Sequence, residues 1–326
     1  MVEIDIGPNL RSYGQLVLSW HGFYSFIAVA TAVILVGRWA PRRGVRSDDI
    51  YSIATWGIIA GVIGARAVHV IDEWDFYSNS PGRILQVWSG GIGVWGGILG
   101  GFAGAVGATA IMNVLRTRRR DQLEGALSRA KTDEERREVE EELSLNQHLP
   151  IGVIAGMTAP AMLFVQAIGR IGDIINGEHC AKAADFFLAF AWTNPESDAG
   201  ICNSLGTGIG VSVQPVIAYE MLWNMVALVV VWKLRNKLVP MGMVWALYLA
   251  LYSVGRFSIS FARSDDVWAL GMQEAHYIAI AVLAVTVPLM AWKARLAPAG
   301  GVAADGAAPV SVPRGTRAQR RRRGRR

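Results

Sequence analysis

Long, nearly uncharged apolar runs alternate along this chain with short polar stretches. A helix needs roughly 20 mostly apolar residues to cross the hydrocarbon core of a bilayer. Seven runs meet that requirement, near residues 16–37, 51–70, 91–115, 151–170, 217–234, 241–262 and 271–292. The pattern predicts an all-α polytopic membrane protein with about seven transmembrane helices.

The composition agrees with lipid as the solvent for most of the chain. Hydrophobic residues make up 52% of the sequence and charged residues only 18%, whereas a water-soluble domain carries more charge. Residues 1–13 lack the short basic start of a cleavable signal peptide, so we expect the first apolar run to remain as a membrane helix. The third run is rich in glycine, which predicts close helix packing; these glycines are Gly96, Gly97, Gly100, Gly101, Gly104 and Gly107.

The basic residues lie in alternate loops, and this sets the predicted orientation. Arginine and lysine collect on the cytoplasmic side of membrane proteins. In this chain they follow the first, third, fifth and seventh runs, at Arg38, Arg42, Arg43, Arg46, Arg116, Arg118, Arg119, Arg120, Lys233, Arg235, Lys237, Lys293 and Arg295. We therefore expect the N-terminus outside and the C-terminus in the cytoplasm.

The runs and loops divide the chain into six segments. Residues 116–149 are densely charged and predict a cytoplasmic helical hairpin or one long helix, with a solvated connector as the simplest interpretation. Residues 176–216 are rich in Gly, Asn and Ser and predict a small folded cap on the outer face. Residues 296–326 predict a disordered, arginine-rich cytoplasmic tail that lies on anionic lipid. The other segments are 1–115 with helices 1–3, 150–175 with helix 4, and 217–295 with helices 5–7.

Both cysteines of the chain, Cys180 and Cys202, fall in the predicted cap. A disulfide persists outside the cytoplasm, so pairing and two separate thiols stand as equal alternatives. Pairing requires Cα atoms within roughly 7 Å of each other. No His/Cys ligand spacing accompanies the two thiols, so we expect no metal site.

Four charged residues fall within or at the ends of the apolar runs: Arg66, Arg170, Glu220 and Arg256. Charged side chains in a membrane span are costly and usually functional. An ion-pair network that only holds helices together is one interpretation, chiefly for Arg66 and Glu220. The other is a phosphate clamp of Arg170 and Arg256, because guanidinium groups are permanently charged and bind phosphate in a bidentate way. Since few acidic residues lie near them in sequence, these two arginines are expected to share a cavity that opens to the outer leaflet.

Residues 169–178 have the sequence Gly-Arg-Ile-Gly-Asp-Ile-Ile-Asn-Gly-Glu. The segment ends a span with an arginine, breaks the helix at Asn-Gly and presents a carboxylate. Its glycines let the backbone approach a ligand closely. This segment resembles the signature of the prolipoprotein diacylglyceryl transferases, membrane enzymes that start bacterial lipoprotein maturation.

The resemblance extends over most of the chain, apart from residues 116–149 and the arginine tail. Further matches occur in the same order as in the family: Trp20-His21-Gly22, Gly64-Ala65-Arg66, Val87-Trp88-Ser89-Gly90-Gly91, Trp95-Gly96-Gly97, Gln214-Pro215, Tyr219-Glu220, Gly255-Arg256 and Phe261-Ala262-Arg263. Many separated matches in the right order and topology are hard to obtain by chance.

The resemblance implies transfer of a diacylglyceryl group from phosphatidylglycerol to the thiol of a lipobox cysteine in a prolipoprotein signal peptide. The site would face the outer side of a bacterial cytoplasmic (inner) membrane, take its lipid from the bilayer, and need no cofactor, metal or nucleic acid. The residues expected to act in catalysis are Arg170, Arg256, Glu178 and His21. Those expected to bind substrate are Arg66, Trp95, Gly96, Gly97, Asp173, Asn176, Gly177, Tyr219, Glu220 and Arg263.

Three positions depart from the family's pattern. Many members have histidine where this chain has Trp95, asparagine where it has Asp173, and tyrosine where it has His21. Tryptophan cannot act as a base, so a mechanism centred on that histidine does not apply here. His21 and His179 are the alternative bases, although a lone histidine is more often structural.

Two other functions are weighed against a transferase. A degenerate relative would bind phospholipid or lipoprotein precursor without turnover, and Trp95 and Asp173 favour it most. A small-molecule transporter would show paired broken spans in matching halves or an internal repeat, and we find neither in the sequence. Lipid transfer onto a lipobox peptide distinguishes the first alternative from an enzyme.

The predicted orientation can be tested by cysteine labelling in intact cells. With a membrane-impermeant maleimide, Ser204→Cys in the cap should gain label above the parent chain in intact cells. Ser128→Cys in the charged segment should gain it only after the membrane is permeabilised. Labelling at position 128 in intact cells would contradict the orientation.

Overall fold

The fold was analysed in a computed structural model, which describes residues 1–13, 16–86, 91 and 93–297. In that part of the chain the helices are α1 (Trp20–Trp39), α2 (Ser47–Asp72), α3 (Trp74–Ser78), α4 (Val94–Leu127), α5 (Asp133–Leu145), α6 (Ile151–Asn176), α7 (Val216–Leu234), α8 (Gly242–Ser260) and α9 (Glu274–Lys293). All of these except α3 and α5 are long and apolar enough to span a membrane. The predicted class, an all-α polytopic membrane protein, is confirmed.

Two helices have ends that differ from the ends of the apolar runs: α4 extends past its run, and α1 begins several residues after the start of its run. The third run ends at 115, yet α4 continues to Leu127, because its charged residues favour helix as strongly as its apolar ones. The first run begins at 16, but α1 begins only at Trp20 after Ser19, whose hydroxyl accepts a hydrogen bond from the Gly22 amide at 3.0 Å. Serine favours this capping position because it satisfies a free backbone N–H.

Glycines pack α2 tightly against α4, as the glycine-rich third run predicted. A Cβ atom on Gly100 would lie 2.5 Å from the carbonyl oxygen of Ala60, and one on Gly96 would overlap the carbonyl of Gly64. The two backbones can approach only because neither position carries a side chain. Small residues have this function in membrane helix pairs, where no hydrophobic effect drives association.

Helix α6 lies at the centre of the remaining bundle and packs against α1, α7 and α8. Its apolar side chains, among them Met157 and Leu163, belong to one core cluster with Val36, Val231 and Val244. Helix α9 packs on α8 at the edge. The ends of α1, α6, α7 and α8 are therefore held in a fixed relation to one another.

The charged segment forms a helical hairpin of the end of α4 and α5. Thr132 and Glu135 form a capping box that begins α5, and Arg119 pairs with Glu142 across the hairpin at 2.6 Å. The segment returns to the membrane where Asn113 exchanges two hydrogen bonds with the backbone of Leu149, at 2.7 and 3.0 Å.

Residues 176–216 fold together with the N-terminal segment. Short strands pair in twos: β1 (Val2–Ile4) with β4 (Phe190–Trp192), β2 (Asn9–Tyr13) with β3 (Leu16–Ser19), β5 (Leu238–Val239) with β8 (Arg295–Leu296), and β6 (Val267–Ala269) with β7 (Met272–Gln273). The β1–β4 pair is parallel. It brings Ile4 into a second core with Trp192, Val213 and Ile217.

Cys180 and Cys202 form a disulfide with their Cα atoms 5.5 Å apart. Of the two alternatives that the sequence left open, pairing is the one confirmed. The bridge joins the segment that follows α6 to a 3-10 helix in the cap (Asp198–Leu205). Two expectations lie outside the described residues: the arginine-rich tail beyond 297 and most of the match at 87–91.

The glycine contacts predict which substitutions on α4 destabilise the fold. Gly100→Ala should lower the unfolding free energy by about 1–3 kcal/mol, because the methyl group would force the helices apart. Gly107→Ala is the matched control on the same helix, since a Cβ there meets nothing within 4 Å. Thermal unfolding in detergent compares the two variants, and equal midpoints would contradict the packing role of Gly100.

Candidate functional site

Charged and polar side chains converge where four of the long helices end on the same side of the bundle. The N-terminus of α1 supplies His21, the C-terminal half of α6 supplies Arg170 and Asp173, the start of α7 supplies Glu220, and α8 supplies Arg256. The cap, residues 176–216, follows α6 directly. The charged and polar side chains of these four helices therefore lie together at one end of the fold.

The Glu220 carboxylate lies at the centre of this cluster and is buried. One oxygen pairs with Arg256 Nη1 at 2.5 Å, and the other pairs with Arg170 Nη2. Arg263 Nη1 lies 3.9 Å from the first oxygen. One carboxylate thus holds guanidinium groups from α6, from α8 and from the segment after α8.

These contacts correct one premise of the sequence analysis. Arg170 and Arg256 were expected to lack acidic partners, but both pair with Glu220, and Arg170 also pairs with Asp173. The partner was missed because Glu220 lies 36 residues from Arg256 along the chain. The ion-pair interpretation, which seemed weaker for these two arginines, therefore describes their contacts in this structure.

Asp173 forms a second centre beside the first and is also buried. Its Oδ2 accepts from Arg170 Nη1 at 2.5 Å and lies 3.3 Å from His179 Nε2. Its Oδ1 lies 2.6 Å from His21 Nδ1. Arg170 therefore links the two carboxylates, and His21 is attached to the network through Asp173.

The sequence of α6 explains how these groups meet. Arg170 and Asp173 lie three residues apart and share one helix face. A Cβ on Gly172 would come 2.7 Å from the Cα of His21, so glycine lets α1 approach α6 closely enough for the His21–Asp173 contact. Gly177 ends the helix with φ +82°, a conformation that favours glycine.

Beyond the end of α6, the predicted residues Asn176 and Glu178 lie against the cap. Asn176 Nδ2 donates to Asp198 Oδ2 at 2.8 Å and to Glu178 Oε2 at 3.4 Å. Its Oδ1 is buried and has no partner among the described residues. Burial and the nearby Glu178 carboxylate raise the pKa of Asp198. Sequence reasoning missed Asp198, because no spacing links a cap residue to Asn176.

Two more predicted residues lie beside the cluster. The Tyr219 hydroxyl donates to Gln214 Oε1 at 2.8 Å. Arg263 is buried and makes a bidentate pair with Asp265, at 2.6 and 3.1 Å. Asp265 was also missed, although its place two residues after an arginine was a local signal.

Arg66 lies in a separate setting on α2. It donates to the backbone carbonyls of Ile84, Gly91 and Arg83 at 2.8, 2.8 and 2.6 Å, and its guanidinium lies 5.1 Å from the centre of the Tyr77 ring. These contacts tie the segment before α4 to α2. They are not the pair with glutamate that the ion-pair interpretation suggested for Arg66, and the expectation that Arg66 binds substrate stays a prediction.

The positions of Trp95, Gly96 and Gly97 on α4 follow from the α2–α4 packing. Gly96 lies against the backbone of Gly64 and Gly97 lies near the Cβ of Ala65, while Trp95 is 44% exposed. Packing alone accounts for Gly96. The expectation that these three bind substrate stays a prediction.

A small cavity lies between α7 and α8 beside the carboxylate cluster. Its wall is formed by Glu220, Trp223, Asn224, Tyr252, Gly255, Arg256 and Ile259. Arg256 and Glu220 thus border a cavity, and Arg170 reaches the other oxygen of Glu220. The expectation that Arg170 and Arg256 share one cavity open to the outer leaflet stays a prediction.

A family model described as prolipoprotein diacylglyceryl transferase matches residues 8–118 and 143–292. The match includes every residue of the cluster described above. The chain belongs to the prolipoprotein diacylglyceryl transferase family. The interval between the matched parts falls within the α4–α5 hairpin, which the resemblance in sequence also excluded.

Relatives named phosphatidylglycerol–prolipoprotein diacylglyceryl transferase are similar to this chain over most of its length. One from Dehalococcoides mccartyi (strain BAV1) is 28% identical over 90% of this chain and 96% of its own length. One from Lactobacillus delbrueckii subsp. bulgaricus is 28% identical over 83% and 84%, and one from Lysinibacillus sphaericus is 27% identical over 86% and 89%. The comparisons give no support to the binding-only alternative.

Within this diacylglyceryl transferase fold, two of the departures from the family's pattern contact each other. His21 and Asp173 form the 2.6 Å pair. The His21 side chain is 41% exposed, and its Nε2 has no partner among the described residues. By contrast, both nitrogens of His179 lie near arginines, Arg170 at 3.1 Å and Arg263 at 3.5 Å. Of these two histidines, His21 is the one with a ring nitrogen that has no partner among the described residues.

His21, Asp173 and Glu178 also offer three ligand atoms within 4.8 Å of one another. A cation there would compete with Arg170, which already pairs with Asp173 at 2.5 Å. The positive charge beside Asp173 is therefore supplied by the Arg170 guanidinium. We assign the three residues to the hydrogen-bond network, and the expectation of no metal stays a prediction.

Proposed function

We propose that this chain transfers the diacylglyceryl group of phosphatidylglycerol to a cysteine thiol of a prolipoprotein. Its relatives are named phosphatidylglycerol–prolipoprotein diacylglyceryl transferase. A carbon–sulfur bond forms at the glyceryl carbon, and the bond from that carbon to the phosphate oxygen breaks. Glycerol phosphate leaves with the electron pair, and the thiol proton passes to a base. The observation that supports this most is the arginine–carboxylate cluster at the end of the bundle beside the cap.

The leaving phosphate gains negative charge as its bond breaks, so cations that bind it more strongly in the transition state accelerate the step. Arg170 and Arg256 have this function in the proposal. Each guanidinium has five N–H donors; Glu220 engages some of them in both arginines, and Asp173 engages another in Arg170. The carboxylate fixes the direction of both groups, while their remaining donors are left for the phosphate oxygens.

His21 is the proposed base that takes the thiol proton, because the thiolate is the nucleophile. Asp173 accepts from Nδ1 and so fixes the tautomer in which Nε2 can accept a proton. Asp173 also stabilises the imidazolium that forms, as in other carboxylate–histidine pairs. Glu178 Oε1 lies 3.8 Å from the same ring nitrogen and adds negative charge there.

Asn176 is proposed to select the headgroup. Its buried Oδ1 is an acceptor without a partner among the described residues, and an unpaired buried acceptor is costly. A hydroxyl of the glycerol headgroup would satisfy it. The cap holds Asn176 in place, since Ser197 Oγ donates a hydrogen bond to the backbone carbonyl oxygen of Asn176 at 2.9 Å.

The arrangement of the cluster and the cap also suggests how the two substrates reach the site and which membrane face it is on. The signal peptide of the precursor would present its lipobox cysteine near His21, and the lipid would enter sideways from the bilayer. With the N-terminus outside, the cluster and cap face the outer side of the cytoplasmic membrane. The remaining proposed substrate-binding residues are Arg66, Trp95, Gly96, Gly97, Gly177, Tyr219 and Arg263.

Replacing Arg170 or Arg256 with glutamine should nearly abolish transfer of lipid onto a lipobox peptide. Losing one donor to a charged transition state typically costs a hundredfold or more in rate. Lysine should restore little, because a point charge does not reproduce the planar fork. Lys182→Gln, an exposed cap position, is the matched control for loss of charge and should keep its rate.

These variants must still insert and fold for the comparison to count. The Cys180–Cys202 disulfide reports on a folded cap, and its resistance to alkylation can be measured in each variant. A folded Arg170→Gln or Arg256→Gln protein with near-normal transfer would contradict the proposed clamp.

His21→Ala should reduce transfer about 10²–10⁴-fold, the usual contribution of a general base. In the unsubstituted protein the rate should rise with pH as the imidazole loses its proton, and the variant should lose that rise. His148→Ala, an exposed position at the hairpin, should leave both rate and pH profile unchanged. A His21→Ala protein with the original pH profile would exclude His21 as the base.

A further inference from the structure

An apolar groove lies at the end of the bundle opposite to the carboxylate cluster. Its volume is about 380 Å³, and its lining residues come from α1, α6 and α7: Leu35, Trp39, Pro160, Phe164, Leu228, Val229, Trp232 and Lys233. It extends from Lys233 at the end of α7 to Phe164 in the middle of α6. Within a bilayer such a groove faces the acyl chains.

Two tryptophans form the mouth of this groove. Trp39 and Trp232 meet edge to face with ring centres 5.5 Å apart, and the Arg235 guanidinium carbon lies 3.2 Å from the centre of the Trp232 ring. Tryptophan favours the membrane–water interface, where its ring is partly apolar and partly wet. The mouth of the groove thus lies at headgroup depth.

Four cations surround the mouth: Arg42, Arg43, Lys233 and Arg235. Arg43 Nη2 donates to the side chain of Asn236, which ties the end of α1 to the end of α7. Burial, and then Arg43 and Arg42, lower the pKa of Arg235, as expected where like charges are close. Among the described residues no carboxylate pairs with any of the four.

This cation cluster lies far from the proposed catalytic residues. Helix α1 carries His21 at its start and Trp39 at its end, and α7 carries Glu220 in its second turn and Lys233 in its last turn. At 1.5 Å per residue, α1 is about 30 Å long, which is the thickness of the hydrocarbon core. The groove therefore opens at the opposite membrane face from the cluster around Glu220.

We propose that the groove binds one anionic phospholipid, with an acyl chain against Leu35, Phe164 and Leu228 and its phosphate among Arg43, Lys233 and Arg235. The occupant must be apolar along the groove and negative at its mouth, and a phospholipid of the adjacent leaflet meets both requirements. A soluble anion would leave the groove unfilled. On the predicted orientation this leaflet is the cytoplasmic one, whose anionic lipids attract basic clusters.

The bound lipid would act on stability and not on chemistry. It would neutralise the repulsion among four like charges and fill the space between α1, α6 and α7. A ligand that binds only the folded state stabilises that state in proportion to its affinity. The lipid is thus expected to hold together the ends of the helices whose other ends carry the catalytic residues.

The test compares lipids with the same acyl chains in thermal unfolding of the full chain in a neutral detergent. Dioleoyl phosphatidylserine should raise the midpoint by several degrees more than dioleoyl phosphatidylcholine, and inorganic phosphate should not reproduce the shift. Equal shifts from the two lipids, or a full shift from phosphate, would overturn the proposal.

Variants then locate the effect. The triple variant Arg43→Gln, Lys233→Gln, Arg235→Gln should weaken phosphatidylserine binding roughly tenfold or more, because each basic residue at the surface contributes to anionic lipid binding. Arg118→Gln, Arg136→Gln, Arg137→Gln removes equal charge from exposed positions of the hairpin and should keep the shift. An equal loss in both variants would mean nonspecific attraction and contradict the site.

A variant in the wall of the groove tests the acyl-chain part of the site without changing any charge, and it applies even if the triple variant does not fold. Val229 is 52% exposed in the groove wall, so Val229→Trp should fill the groove without disturbing the core. It should lose the phosphatidylserine shift, while Leu222→Trp, an exposed position two turns earlier on α7 and outside the groove, should keep it. A Val229→Trp protein with the full shift would overturn the acyl-chain part of the site.

Discussion

The pairing of the Glu220 carboxylate with arginines organises the working end of this protein. A charge that is removed from water must be paired, and breaking a buried pair leaves the other charge unmatched at a cost of several kcal/mol. Arg170 of α6 and Arg256 of α8 both pair with this one side chain of α7. The three helices can therefore take only positions at which these groups meet, and these positions fix the geometry of the proposed phosphate site.

The cap completes the site by fixing the chain where α6 ends. Gly177 turns the backbone out of the helix at φ +82°, and Trp192 Nε1 donates to the carbonyl of Ile174 at 2.7 Å. The Cys180–Cys202 disulfide then closes the segment onto the cap. Strand β1 adds the N-terminus to the same unit. Asn176 and Glu178 are thus held both by α6 and by the cap.

The sequence was sufficient for features that depend on local composition and insufficient for those that depend on long-range contacts. Apolar length predicted the spanning helices, and glycine content predicted the α2–α4 packing. Hydropathy alone did not show that α4 continues past residue 115 to Leu127, although the charged residues 116–149 were predicted to form a helical hairpin or one long helix. The Glu220–Arg256 pair and the Asn176–Asp198 hydrogen bond join residues far apart in sequence. No spacing rule in the sequence reveals such partners. Glu220 and Arg256 were therefore identified from the sequence as candidate residues, but it was not predicted that they pair with each other.

The shared position of Asp173 connects the two halves of the proposed reaction. Its Oδ2 holds Arg170 and its Oδ1 holds His21. In the proposed reaction, a phosphate that drew the Arg170 guanidinium toward itself would leave Asp173 less neutralised and make it a stronger acceptor for an imidazolium at His21. Binding of the lipid headgroup would thereby favour removal of the thiol proton. An asparagine at this position is neutral and could not respond in this way, which gives a physical reason for histidine and aspartate to occur together in this chain.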